Sequence, residues 1–206
     1  MIGKHTWQFV AAGLAVLLAA GAFAAEEKGV KVGKVAPDWS GIVGVDDEKH
    51  ALAEYKDAKA VVLVFTCNHC PFAKAYQDRL IQVQKDYGPK GVQVVAVNVN
   101  NLPADRLPAM KERAKEKKYN FPYLYDPTQK IARDYGAKVT PHVFILGKPI
   151  EKGRKVRYIG AVDNNMKADK VDTHYVRDAL DALLSGKEPP VAETKPFGCS
   201  VKYEKK

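Results

Sequence analysis

The sequence predicts an α/β domain with a mixed central β-sheet flanked by helices, and three observations predict it. Val61-Val62-Leu63-Val64-Phe65-Thr66 is an almost unbroken apolar run rich in β-branched residues, as expected of a strand buried on both faces. Directly after it Phe72, Tyr76, Leu80, Val83 and Tyr87 recur at helical spacing. Beyond that helix, strand and helix patterns alternate and then close on a pair of strands and a terminal helix.

The first segment must be set aside before the fold is read. Lys4 and His5 precede an uncharged apolar run over residues 9–23, then Ala22-Phe23-Ala24 and the charged Glu26-Glu27-Lys28. That order describes a secretory signal peptide over residues 1–24, cleaved after Ala24. The run is short for a membrane span, which needs about 20 apolar residues, so no stable span is expected after cleavage. The mature chain is then expected in the periplasm or outside the cell, where disulfides form and persist.

The elements of the mature chain follow in order. The strand at 61–66 leads into a helix that Pro71 helps to start and Gly88-Pro89 ends. Residues 92–99 read as the next strand, and 108–118 as a helix with proline in its first turn. Asp126-Pro127-Thr128-Gln129 reads as the capped start of a third helix, which closes at Gly136. Residues 142–146 and 156–161 form two strands joined by a polar, glycine-containing connection. A last helix over 173–184 carries Val176, Leu180 and Leu183 on one face. The domain is therefore expected over residues 29–186. Residues 187–206 shift to Pro, Glu and Lys and read as a tail, lying over the surface or mobile, that carries Cys199.

Composition excludes several classes. The 206 residues are 46% apolar and 28% charged, a globular balance, and three cysteines are too few for a disulfide scaffold. The net charge of +9 invites a nucleic-acid reading. However, Lys111, Lys115, Lys117 and Lys118 alternate with Glu112, Arg113 and Glu116, as on a solvated helix face, and no nucleic-acid partner is expected. There is no phosphate-binding glycine loop and no H-E-x-x-H.

The chemistry lies in Cys67-Asn68-His69-Cys70, between the buried strand and the helix. A thiolate at a helix start faces unpaired N–H groups and the positive end of the helix dipole, which lowers its pKa. A second cysteine two residues on can attack a mixed disulfide and release the substrate. His69 is expected to favour the Cys67 thiolate. Thr140-Pro141, at the mouth of a strand, is a candidate cis-proline. Cys199 is a third thiol whose position the sequence leaves open; an accessory redox role is one of its expectations.

Together these residues resemble the thioredoxin superfamily. Gly33-Lys34-Val35-Ala36-Pro37-Asp38-Trp39 is similar to the start of secreted redoxins, both TlpA/ResA-like reductases and peroxiredoxins. Phe65-Thr66-Cys67-Asn68-His69-Cys70-Pro71, Thr140-Pro141 and Gly198-Cys199-Ser200-Val201-Lys202 look most like peroxiredoxin-like thioredoxin family proteins. The resemblance implies a thioredoxin-like fold, with Cys67 as attacking and Cys70 as resolving thiol. It also implies a cis-Pro141 beside the disulfide, where the backbone at Thr140 pairs with substrate. Protein thiols and disulfides are the implied partners, together with a redox partner, and the Cys67–Cys70 disulfide is the only redox group required.

Two departures stand out. Residues 61–66 lack the acid that thioredoxins place in that strand to deprotonate the second cysteine. The Thr that peroxiredoxins carry three residues before their peroxide-attacking cysteine is Val64 ahead of Cys67 and Cys67 ahead of Cys70, which counts against peroxidase activity. A metal-carrier alternative draws on Cys67, Cys70, His69 and His142 as Cu(I) or Zn donors. Copper-assembly proteins of this fold space their cysteines by three residues rather than two, so no metal is expected.

Overall fold

The computed structural model describes residues 29–205, so the signal-peptide expectation at 1–24 lies outside the described residues. The strands are β1 (Ile42–Gly44), β2 (Lys49–His50), β3 (Ala60–Phe65), β4 (Val92–Asn98), β5 (Tyr123–Tyr125), β6 (Val139–Thr140), β7 (His142–Ile150), β8 (Gly153–Gly160) and β9 (Cys199–Ser200). The helices are α1 (Pro71–Tyr87), α2 (Leu107–Lys117), α3 (Lys130–Tyr135) and α4 (Tyr175–Leu184). Seven strands make one sheet in the order β2-β1-β5-β4-β3-β7-β8, while β6 and β9 pair separately. β3, β4 and β5 run parallel, and β7 returns antiparallel to β3.

The alternation of side chains along β3 builds two cores. Val61, Leu63 and Phe65 face a cluster with Val95, Val97, Leu124, Tyr135 and Phe144. Ala60, Val62 and Val64 face the opposite cluster, where Tyr76, Leu80 and Val83 of α1 pack with Val176 and Leu180 of α4. Every residue of β3 is buried, which is why its sequence shows no polar face.

Four boundaries differ from expectation by two residues or more. α3 begins at Lys130 rather than at Asp126, because Gln129 takes a left-handed φ of 62°. Asp126 still serves the turn: it accepts N–H bonds from Thr128 (2.9 Å) and Ile131 (3.0 Å). α4 begins at Tyr175 rather than at 173. β7 and β8 run on past the expected strand ends, since the hairpin register continues to Ile150↔Gly153. β1, β2 and β5, of two or three residues each, carry too short a pattern to read from sequence; pairing to neighbours makes them strands.

The segment from 187 onward packs onto the domain. Val201 is buried in the first core, and Phe197 stacks edge-on against Phe72 and Tyr76 of α1 at 6.3 and 6.1 Å. Gln129 explains its own strained backbone. Its amide donates to the Val99 and Lys202 carbonyls (2.9 and 2.8 Å) and accepts the Glu204 N–H (2.9 Å). Three bonds, one buried to the loop after β4 and two part-buried to the tail, hold a conformation that a non-glycine residue rarely adopts.

Candidate active site

The topology brings three sequence-distant segments to one edge of the sheet. β3 and β4 are parallel, so the loops that leave their C-terminal ends open on the same side. β7 is antiparallel to β3 in the register Phe65↔His142, so the chain entering β7, Thr140-Pro141, arrives at that side too. Cys67-Asn68-His69-Cys70, the 99–105 loop and Thr140-Pro141 therefore meet. Among the described residues no helix is long and apolar enough to cross a membrane.

Cys70 occupies the N-cap of α1 and Pro71 its first turn. This is a position where a missing proline N–H costs nothing and the helix dipole favours negative charge. All three cysteines are free thiols. Both sulfurs of the pair meet Thr140: its hydroxyl lies 3.2 Å from Cys67 Sγ, and its carbonyl oxygen lies 3.3 Å from Cys70 Sγ and accepts the Cys70 S–H. The Thr140–Pro141 peptide bond is cis. Cys70 is fully buried and Cys67 is 2% exposed.

The pair ionises once. The Cys67 thiol hydrogen-bonds to the Cys70 sulfur and, with Cys199, pulls Cys70 down to about 4. The same bond, reinforced by burial, pushes Cys67 far above the usual thiol range. The charge therefore falls first on Cys70 and the proton stays on Cys67, the reverse of the sequence expectation. Moving it to Cys70 gives it the Thr140 carbonyl as acceptor and leaves the charge on Cys67, where the Thr140 hydroxyl can donate.

Sequence reasoning missed Asp105. It ends the short 3-10 turn Pro103–Asp105 and has no solvent exposure. Its Oδ1 accepts the N–H groups of Asn68 (2.7 Å) and His69 (3.3 Å), and its Oδ2 pairs with His69 Nδ1. Asn98 donates to the Asp105 carbonyl (3.1 Å), and Asn68 donates to Ala104 O (2.9 Å) and accepts from Tyr123 OH (3.0 Å), so the loop is locked to the Cys67 turn. Donor atoms of Cys67, His69 and Asp105 all lie within 4.8 Å of one another, the one such group of metal-ligating side chains among the described residues. This is also the set that could hold a zinc-like ion. Here, however, both carboxylate oxygens are already engaged as acceptors. A buried acid thus reaches the site from the loop after β4, against His69 and Cys67 rather than Cys70. The usable clue is an Asp following a strand parallel to β3, which must emerge at the same edge.

His142 does not join the thiols, which corrects the Cys67/Cys70/His142 metal set. Its Nδ1 accepts the Lys138 N–H (3.3 Å) and its ring lies 4.6 Å from that of Phe144. It lines a separate cavity with Val30, Tyr135 and Glu193. His142 follows the cis Thr140–Pro141 bond and opens β7, where its ring is held by Lys138 and Phe144. Burial holds His142 down to about 4, with Lys138 adding to the effect. Cys199, unplaced by sequence, packs against Cys67, Cys70 and Ala73.

The family model described as AhpC/TSA family matches residues 32–159. The chain belongs to the AhpC/TSA family. This AhpC/TSA-family chain is a thioredoxin-superfamily redoxin with a thioredoxin-like fold, among thiol:disulfide oxidoreductases and peroxiredoxin-like proteins. It is similar to an uncharacterized conserved protein from Geobacillus kaustophilus at 38% identity and TM-score 0.77, covering 84% of this chain and 93% of that chain. A hypothetical protein from Sinorhizobium meliloti is 30% identical with TM-score 0.77, covering 85% and 96%. A putative thiol:disulfide interchange protein DsbE from Chlorobium tepidum is 26% identical with TM-score 0.52, covering 62% and 82%. Comparison with curated proteins found no match.

Proposed function

We propose that the protein is a periplasmic or secreted thiol–disulfide oxidoreductase whose redox centre is Cys67 and Cys70. The observation that carries this is a pair of free thiols at a helix start, both in contact with Thr140. The thiol:disulfide interchange name of the Chlorobium tepidum neighbour supports the same chemistry.

Cys67 thiolate attacks one sulfur of a substrate disulfide. That S–S bond breaks, a Cys67–substrate bond forms, and the other substrate sulfur leaves as thiolate. Cys70 then gives up its proton and attacks Cys67 Sγ, releasing the second substrate thiolate and closing the Cys67–Cys70 disulfide. The substrate gains two electrons and the pair loses two; the reverse steps oxidise a dithiol. His69 hydrogen-bonded to Asp105 stands within 4.8 Å of Cys67 and takes the role of proton acceptor.

A second reading, thiol peroxidase, is favoured by the family itself and by the burial of both sulfurs, which suits a small substrate. Rapid mixing separates the two. Reduced protein is mixed with hydrogen peroxide or with a disulfide-bonded protein, and its thiols are followed by alkylation and mass. Fast exchange with the protein disulfide and slow oxidation by peroxide uphold the oxidoreductase. Peroxide oxidation far faster than that of a free thiolate, with sluggish exchange, transfers the assignment to the peroxidase.

A further inference from the structure

The C-terminal segment carries a thiol into the redox centre on a hydrogen-bonded strand. β9 pairs antiparallel with β6 in the register Thr140↔Cys199, so the cysteine sits opposite the residue that touches both Cys67 and Cys70. Thr140 Oγ1 lies 3.4 Å from the Cys199 carbonyl oxygen, and the Val201 N–H donates to Lys138 O at 3.0 Å. The Cys199 side chain packs on the Cys67/Cys70/Ala73 cluster. The approach is close enough to require glycine at 198, where a Cβ would stand 2.1 Å from Thr140 O and 2.7 Å from its carbonyl carbon. Both ends of the segment are anchored, by Phe197 on α1 and by Lys202 between Asn100 and Gln129. An extended, cysteine-bearing peptide added as a strand beside a reactive pair has the form in which a substrate would bind. Here the chain supplies its own.

Resting on the oxidoreductase reading, we propose that Cys199 is a third redox thiol that takes Cys70 from the Cys67–Cys70 disulfide, so that Cys67 is returned as a free thiolate while the protein stays oxidised. The Cys199 thiolate attacks Cys70 Sγ. The Cys67–Cys70 bond breaks, a Cys70–Cys199 bond forms, and Cys67 leaves as thiolate, taking up the proton that Cys199 gave up. One disulfide replaces another, so no electrons are gained or lost and no further oxidant is needed. The electrostatics make this step conditional. In the reduced protein burial, together with the bond to Cys70, lifts the Cys199 thiol to about 11. Once Cys70 is in a disulfide its charge is gone, and with it that part of the lift.

The test uses the full-length mature protein. Wild type and Cys67→Ser are reduced, treated with one equivalent of diamide, quenched in acid, alkylated and peptide-mapped. Wild type is expected to give Cys67–Cys70, with Cys70–Cys199 and alkylated Cys67 growing in as the two disulfides equilibrate. Cys67→Ser is expected to close Cys70–Cys199 within one chain. At 10 µM protein this should be about 100-fold faster than dimer formation, because the effective concentration of linked groups is in the millimolar range. Adding Gly198→Ala, which shifts the strand without touching a thiol, should cut that advantage on the order of 10²-fold, the cost of roughly 1 Å of misplacement. Wild-type protein that closes Cys67–Cys70 but never yields Cys70–Cys199, or Cys67→Ser that yields only dimers and free thiols, overturns the role of Cys199 and leaves the oxidoreductase reading standing. Wild-type protein that closes no Cys67–Cys70 disulfide overturns both.

Discussion

Replacing Asp105 with Asn exchanges one buried carboxylate oxygen for an amide nitrogen and removes one charge from a position with no solvent contact. The Oδ1 side can still accept from the N–H groups of Asn68 and His69, at 2.7 and 3.3 Å, but as neutral bonds worth about 1 kcal/mol less each than charge-assisted ones. On the other side the new NH2 meets His69 Nδ1, so the ring must give up its Nδ1–H and turn acceptor. Relief from burying a charge offsets part of the loss. The net is a destabilisation of about 2 kcal/mol, which at a urea slope of about 2 kcal/mol/M moves the unfolding midpoint down by roughly 1 M. The effect on exchange is of another kind. With His69 turned to the other tautomer, the proton acceptor near Cys67 is lost. Disulfide exchange at pH 7 should then fall on the order of 10²-fold, the lower end of what a positioned acid–base group contributes. The rate should also recover with rising pH as hydroxide takes over. Stopped-flow reduction of a disulfide-bonded protein between pH 6 and 9, beside urea unfolding, measures both. A variant with an unmoved midpoint and a pH profile parallel to wild type would refute the reasoning.

Three further predictions follow from other parts of the molecule. His142 protonates at about 4 when folded, mainly because of burial, but near 6.5 when unfolded, so between these values the unfolded chain holds more protons. Stability should therefore fall by about 3 kcal/mol as pH drops through that window, and a chemical-denaturation series on His142→Gln should lack that component of the slope. Thr140→Val removes the hydroxyl 3.2 Å from Cys67 while keeping the carbonyl that meets Cys70. Its thiol pair should ionise less readily and alkylate about tenfold more slowly at neutral pH, the equivalent of one pKa unit, and an unchanged iodoacetamide rate would remove Thr140 from the site. Gln129→Ala deletes three bonds, one buried and two part-buried, that tie the tail to the loop after β4. It should cost about 2–3 kcal/mol and raise the maleimide reactivity of Cys199; equal reactivity would show that the tail is held elsewhere.

The sequence by itself determined the central strand, the helix that Pro71 starts, and the placement of Cys67 and Cys70 between them. Each of these is written in contiguous residues: an apolar run of β-branched side chains, a 3.6-residue repeat, a proline after the second cysteine. The tertiary structure alone decided which distant residues face the sulfurs. Asp105 reaches Cys67 because β3 and β4 are parallel, and Thr140 reaches both cysteines because β7 is antiparallel to β3. His142 is held away from the sulfurs by Lys138 and Phe144. Cys199 lies in a segment whose composition gives no periodicity. Its position comes from anchors that are far off in sequence, Gln129, Asn100 and the aromatic face of α1. Local patterning encodes how a segment folds, whereas the partners of a side chain depend on strand order and register, which are settled only when separate segments pair.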